Sequence, residues 1–157
     1  MKRLLPLLLL VIATASCGEW NSGFEFKPPD TSTAPAPYDT TNAQKFYRAD
    51  GLKVYTVIAG TGDIAISEVD RVYTFYTLRK TNGTIQESTY SDGNTITPTL
   101  LSMNGLIRGF REGMIGQRAG ARVVLIIPPA LGYGASPNHA LRNDTLRFDI
   151  DVKSIID

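Results

Sequence analysis

Hydrophobic and polar side chains alternate most cleanly near the end of the chain. Leu146, Phe148, Ile150 and Val152 are interleaved with Arg147, Asp149, Asp151 and Lys153. A period of two predicts a strand with one face on a core and the other toward water, so Asp149 and Asp151 are expected to be solvated. The same reasoning predicts strands over 52–59, closed by Gly60-Thr61-Gly62-Asp63, and over 72–79, where Tyr73, Phe75 and Tyr76 fall. A third, over 121–127, is rich in β-branched residues and ends at Pro128-Pro129. Thr81-Asn82-Gly83 marks a turn. Residues 96–101 read as a short strand that Pro98 confines to an edge or to a late start. Only 106–114 has helical spacing, with Ile107, Phe110 and Met114 on one side. A helix this short, with Gly109 and Gly113 in it, is not stable alone and must pack on the sheet. Strands, one short helix, then strands predict an α+β domain with an antiparallel sheet wrapped around one short α-helix.

The chain begins in another style. Met1-Lys2-Arg3 is basic, Leu4 to Ala13 is apolar apart from Pro6, and small residues follow to Ser16. This is the layout of a secretory signal peptide over 1–16. The apolar run is well short of the ~20 residues of a membrane-spanning helix. A buried N-terminal helix is the competing reading, and it would need burial all round. Cys17, the sole cysteine, follows Thr14-Ala15-Ser16 directly. The arrangement resembles the lipobox of bacterial lipoproteins, which implies acylation of the Cys17 thiol, although Thr14 stands where leucine is common. Cleavage there by an ordinary signal peptidase is the alternative. Residues 17–46 then form a Pro/Thr-rich linker, with Pro28, Pro29, Pro35 and Pro37 among threonines. Such a stretch cannot bury enough apolar surface to offset its own entropy. Trp20, Phe24 and Phe26 leave two options open, the membrane surface or the domain itself. The folded domain is expected over 47–157.

Composition and charge add exclusions. With 43% hydrophobic and 20% charged residues, the 157-residue chain has room for one core. Removal of Lys2 and Arg3 leaves 14 basic against 15 acidic side chains. That balance gives no reason to expect nucleic acid as a partner. With no second cysteine the domain holds no disulfide, and no metal-ligand cluster or cofactor motif is present. The single histidine, His139, sits in a Pro-Asn-His-Ala loop, lacks a partner in the sequence and is expected to be exposed. A monomer is expected.

Residues 106–114, Leu-Ile-Arg-Gly-Phe-Arg-Glu-Gly-Met, followed by Gly116-Gln117-Arg118, resemble the most diagnostic stretch of the FKBP family. There a Val-Ile-x-Gly-Trp-x-x-Gly helix precedes a Gly-x-Arg/Lys turn. Leu131-Gly132-Tyr133-Gly134 is similar to the family's Tyr-x-Tyr-Gly, and 145–152 to its Thr-Leu-x-Phe-Asp-Val-Glu-Leu strand. Residues 73–77 and the hairpin from Asn82 to Ser88 also correspond. The match runs from about Gly51 to the end, with its motifs in order.

This resemblance implies a peptidyl-prolyl cis–trans isomerase acting on proline-containing polypeptides. With the N-terminal signals, it places the protein in the cell envelope, lipid-anchored at an outer-membrane or periplasmic face. Carried over by position, the proline pocket comprises Tyr76, Leu106, Ile107, Phe110, Tyr133 and Phe148, with Glu87 for the usual aspartate. Phe110 replaces the family's tryptophan at the pocket floor. Ile107 would offer its backbone N–H, and Tyr133 its hydroxyl, to substrate carbonyls. Departures occur at Gln86 and Thr97, where the family has phenylalanines, and at Ala140-Leu141-Arg142-Asn143, which replaces an Ile-Pro-Pro-x stretch. One buried ring contributes ~1.5–3 kcal/mol, so the losses favour either weak catalysis or a binding module with the same fold.

Overall fold

The computed structural model describes residues 29–156. The expected signal peptide and Cys17 lie outside them. Seven strands form one antiparallel sheet: β1 (Gln44–Tyr47), β2 (Lys53–Ile58), β3 (Arg71–Lys80), β4 (Ile85–Ser88), β5 (Thr99–Ser102), β6 (Arg122–Ile127) and β7 (Leu146–Ile156). The spatial order is β1-β2-β6-β7-β3-β4. β3 pairs with β7 on one side; on the other, β5 pairs with its first half and β4 with its second. The strand expected over 96–101 begins at Thr99, after Pro98, because proline cannot donate to the ladder.

The one α-helix among the described residues, α1 (Arg108–Met114), lies on the inner face of the sheet. Phe110 and Met114 join the core with Val123, Leu125 and Ile127 of β6 and Leu146, Phe148, Ile150 and Val152 of β7. Close approach explains the helix glycines. A Cβ on Gly109 would come within 2.4 Å of Ile127 Cγ2, and one on Gly113 within 2.6 Å of Leu125 Cδ2. Tertiary packing therefore holds a helix whose local propensity is poor.

The outer face departs from expectation. Residues 30–46, assigned to the linker from their prolines and threonines, form a strap across the sheet. Thr33 Oγ1–H donates to the Tyr90 carbonyl, beyond β4. The Pro35 carbonyl accepts from Arg79 of β3. The Tyr38 N–H donates to Asp149 Oδ1 of β7 at 3.0 Å, and the Tyr38 ring lies 5.6 Å from the Arg122 guanidinium of β6. Residues 44–47 then pair with β2 as β1. A proline-rich segment builds no core of its own, yet its carbonyls and extended backbone can still dock on a polar sheet face.

This cover buries groups that alternation assigns to water. Asp149 and Arg79 are each only 4% exposed at the side chain and pair at 2.6 Å; Arg147 adds a second contact to Asp149 at 2.8 Å. Asp151 is buried as well, bonded to Lys153 Nζ at 2.7 Å. The expectation that Asp149 and Asp151 are solvated is thus corrected, and for Asp149 the reason is the strap.

Candidate functional site

Tyr76 on β3 and Phe148 on β7 point to the inner face, where Phe110 of α1 meets both. The Phe110 and Phe148 rings lie 5.0 Å apart at 87°, edge to face. Tyr76 is 6.4 Å from Phe110 and 6.0 Å from Phe148. These are the separations and tilts that aromatic quadrupoles prefer. The three rings floor a cavity of about 180 Å³ that is walled by Leu106, Ile107, Tyr133, Glu87, Leu101 and Gly105. It is smaller than the ~300–1,000 Å³ usual for drug-sized ligands, and suits one small ring with its flanking backbone.

All seven positions expected at the pocket therefore meet at one cavity. Neither Gln86 nor Thr97 lines it. Both are exposed, and the Gln86 amide folds back onto the carbonyls of Thr84 and Ile85. Leu101 and Gly105 are lining residues that the sequence did not single out. Leu101 comes into place because β5 registers on β3 with Val72 opposite Leu101.

The polar groups are few and placed. The Tyr76 hydroxyl donates to Glu87 Oε1. Burial, and then this contact with a carboxylate, raises the Tyr76 phenol well above its ordinary value. Burial, followed by the Glu87 charge, raises Tyr133 also. Both stay neutral donors at physiological pH. Among the described residues the Tyr133 hydroxyl and the Ile107 N–H, just before α1, have no protein partner. Two donors thus remain without a protein partner among the residues of a mostly apolar cavity whose other polar feature is the Tyr76–Glu87 pair. His139, expected to be exposed, is half-buried instead: its ring stacks on Tyr133 with centroids 3.6 Å apart.

A larger groove of about 500 Å³ lies at the β1 edge, between Phe46, Thr56, Ile115 and Gln117. It shares no lining residue with the aromatic cavity.

Comparison with known proteins agrees with this geometry. Residues 62–153 match the family described as FKBP-type peptidyl-prolyl cis-trans isomerase. The chain is 30% identical over 120 residues to FkpA of Escherichia coli (strain K12), covering 71% of this chain and 43% of that protein. It is 31% identical over 109 residues to a peptidyl-prolyl cis-trans isomerase of Schizosaccharomyces pombe, covering 68% of this chain and 96% of that one. The crystal structure of FkpA from Escherichia coli superposes with a TM-score of 0.63 at 28% identity, over 71% of this chain and 51% of that chain. The chain thus spans less than half the length of FkpA from Escherichia coli and of the probable FKBP-type isomerase of Haemophilus influenzae. The matched residues 62–153 contain every residue that lines the aromatic cavity, and the chain belongs to the FKBP-type peptidyl-prolyl cis-trans isomerase family.

Proposed function

We propose that the protein catalyses cis–trans isomerisation of Xaa-Pro bonds in exported polypeptides, as a lipid-anchored monomer of the cell envelope. The observation that carries this reading is the convergence of Tyr76, Phe110 and Phe148 on one cavity with the Ile107 N–H and the Tyr133 hydroxyl beside it. Amide resonance sets a rotation barrier of ~18–20 kcal/mol, and uncatalysed Xaa-Pro exchange takes tens to hundreds of seconds. No proton has to move. A twisted amide has lost resonance and is less dipolar than a planar one, so an apolar site disfavours the ground state relative to the twisted state. The two donors hold neighbouring carbonyls while the bond turns. A thousandfold acceleration requires about 4 kcal/mol, at ~1.36 kcal/mol per factor of ten.

The strap bears on the anchoring part of the proposal. Asp30 is tied to Asp92 beside β4. The segment from Cys17 to Pro29 is then 13 residues, against 30 from Cys17 to Phe46. Its reach is at most roughly 40 Å at ~3.3–3.6 Å per residue. The domain would hang from the β4 side of its sheet, close to the membrane.

A second reading, a binding module with weak catalysis, is favoured by Gln86 and Thr97, which leave the cavity without two aromatic walls. A proline-isomerisation assay on an Xaa-Pro peptide decides between them. Measurable but low activity is expected, cut at least several-fold in Phe110→Ala. Rates equal to buffer would leave only the binding module.

A further inference from the structure

We infer that His139 is a positioning residue for the proline pocket: its imidazole holds the Tyr133 ring in place as a wall. This rests on the isomerase reading and goes beyond it by assigning a role to the one histidine.

The two rings are stacked at 3.6 Å between centroids and 8° between planes. Full overlap is not the arrangement two π-systems choose when free, since offset or edge-on contacts are better. The loop imposes it. Tyr133 to Asp144 is a succession of tight turns, closed by Ser136 N–H to Tyr133 O, His139 N–H to Ser136 O, Arg142 N–H to His139 O and Asp144 N–H to Leu141 O, at 2.9 to 3.1 Å. Within it His139 Nδ1 accepts the Leu141 N–H at 3.1 Å, which puts the ring proton on Nε2. Leu141 is buried in the core and anchors this end of the loop. The imidazole is thereby fixed from its own backbone, from Leu141 and from the tyrosine it covers.

Tyr133 needs such a support. Its ring belongs to the cavity wall. Its hydroxyl has no protein partner among the described residues. The His139 stack is the ring contact that keeps the side chain from rotating outward and widening the site. A wall that moves weakens the planar and twisted substrates alike, so the loss should appear in binding and KM, with kcat nearly constant.

Two substitutions separate the ring from the hydrogen bond. His139→Asn keeps an acceptor near Nδ1 for Leu141 and removes the stack; His139→Phe keeps the stack and removes the acceptor. With the full chain and a Leu-Pro-Phe-containing tetrapeptide, His139→Asn should retain the melting temperature and raise Kd and KM roughly three- to tenfold, the range of one ring–ring contact. His139→Phe should melt lower yet hold Kd within about twofold of wild type. In NMR spectra the upfield ring-current shift of the Tyr133 ring protons should vanish in His139→Asn and persist in His139→Phe. Wild-type Kd in His139→Asn, or equal weakening in both variants, overturns the inference while leaving the isomerase reading intact. A wild-type chain that neither binds nor turns over the peptide overturns the isomerase reading, and this role with it.

Discussion

Asp149→Ala tests whether the strap makes the outer sheet face a true interior. Arg79 Nη1 lies 2.6 Å from Asp149 Oδ2, with both side chains 4% exposed. The carboxylate also accepts from Arg147 at 2.8 Å and from the Tyr38 N–H at 3.0 Å. Removing it strands the Arg79 charge against one neutral acceptor, the Pro35 carbonyl. Breaking one partner of a buried pair costs about 3–5 kcal/mol, a large share of the 5–15 kcal/mol that holds an ordinary domain together. A solvated aspartate, as its alternation with apolar residues predicts, would cost less than about 0.5 kcal/mol. The two expectations differ enough for one urea titration to separate them. For a domain of this size the larger figure lowers the melting temperature by roughly 10–20 °C. Below that transition, peptide isomerisation should be retained, because the pocket lies on the other face. The double variant Arg79→Met with Asp149→Leu should recover most of the loss, since apolar replacement of a buried pair is often neutral or better. A loss under about 1 kcal/mol in Asp149→Ala would refute the reasoning and return the outer face to water.

Three further outcomes are expected. Gly109→Ala should destabilise the domain by about 1–3 kcal/mol through overpacking against Ile127, despite alanine's better helix propensity; denaturation showing a gain would mean that α1 has room to move. Because Tyr76 and Tyr133 are raised from the ordinary phenol value of about 10, the neutral form is favoured in the fold. Their contribution to stability should be fully present up to about pH 10 and lost only as alkali carries the pH through their raised values. Phenolate absorbance of the folded domain should therefore lag that of the denatured chain, and coincident curves would contradict it. Cys17→Ser should release the protein from membranes on fractionation, and unchanged retention would reject the lipid anchor.

The inner half of this fold is legible in the sequence and the outer half is not, for one physical reason. Leu146, Phe148, Ile150 and Val152 all reach the core, as a period of two requires. Their polar neighbours carry no sign of what lies over them, because the cover comes from Tyr38, 111 residues from Asp149. Proline and threonine content reports that residues 30–43 have no core of their own; it does not report docking on another element's surface. β1 escapes notice in the same way. All four of its residues are exposed, Phe46 by 60%, so it shows no buried face and joins β2 through its backbone. At the site, Tyr76, Phe110, Tyr133 and Phe148 were recognisable from motif order. Leu101 was not, because the register after Pro98 is set by pairing with β3 and not by local pattern.

The pocket and the strap are linked by that pairing. On β3, Tyr76 faces the cavity while Phe75, Thr77 and Arg79 face the strap side; on β7, Phe148 faces in and Asp149 faces out. A slip of one residue would exchange the two sets, putting charged groups at the pocket and rings under the strap. β3 and β7 pair from Arg71–Ile156 to Lys80–Leu146 with one irregularity, between Tyr73 and Thr74. Thr77 opposite Asp149 and Leu78 opposite Phe148 lie beyond it in unbroken register. The Arg79–Asp149 pair spans β3 and β7 and forms in that register, and so helps to specify it. Isomerisation needs fixed walls more than titrating groups. The buried charges on the far face therefore add to a register that the β3–β7 ladder already holds, in which Tyr76 and Phe148 close one cavity with Phe110.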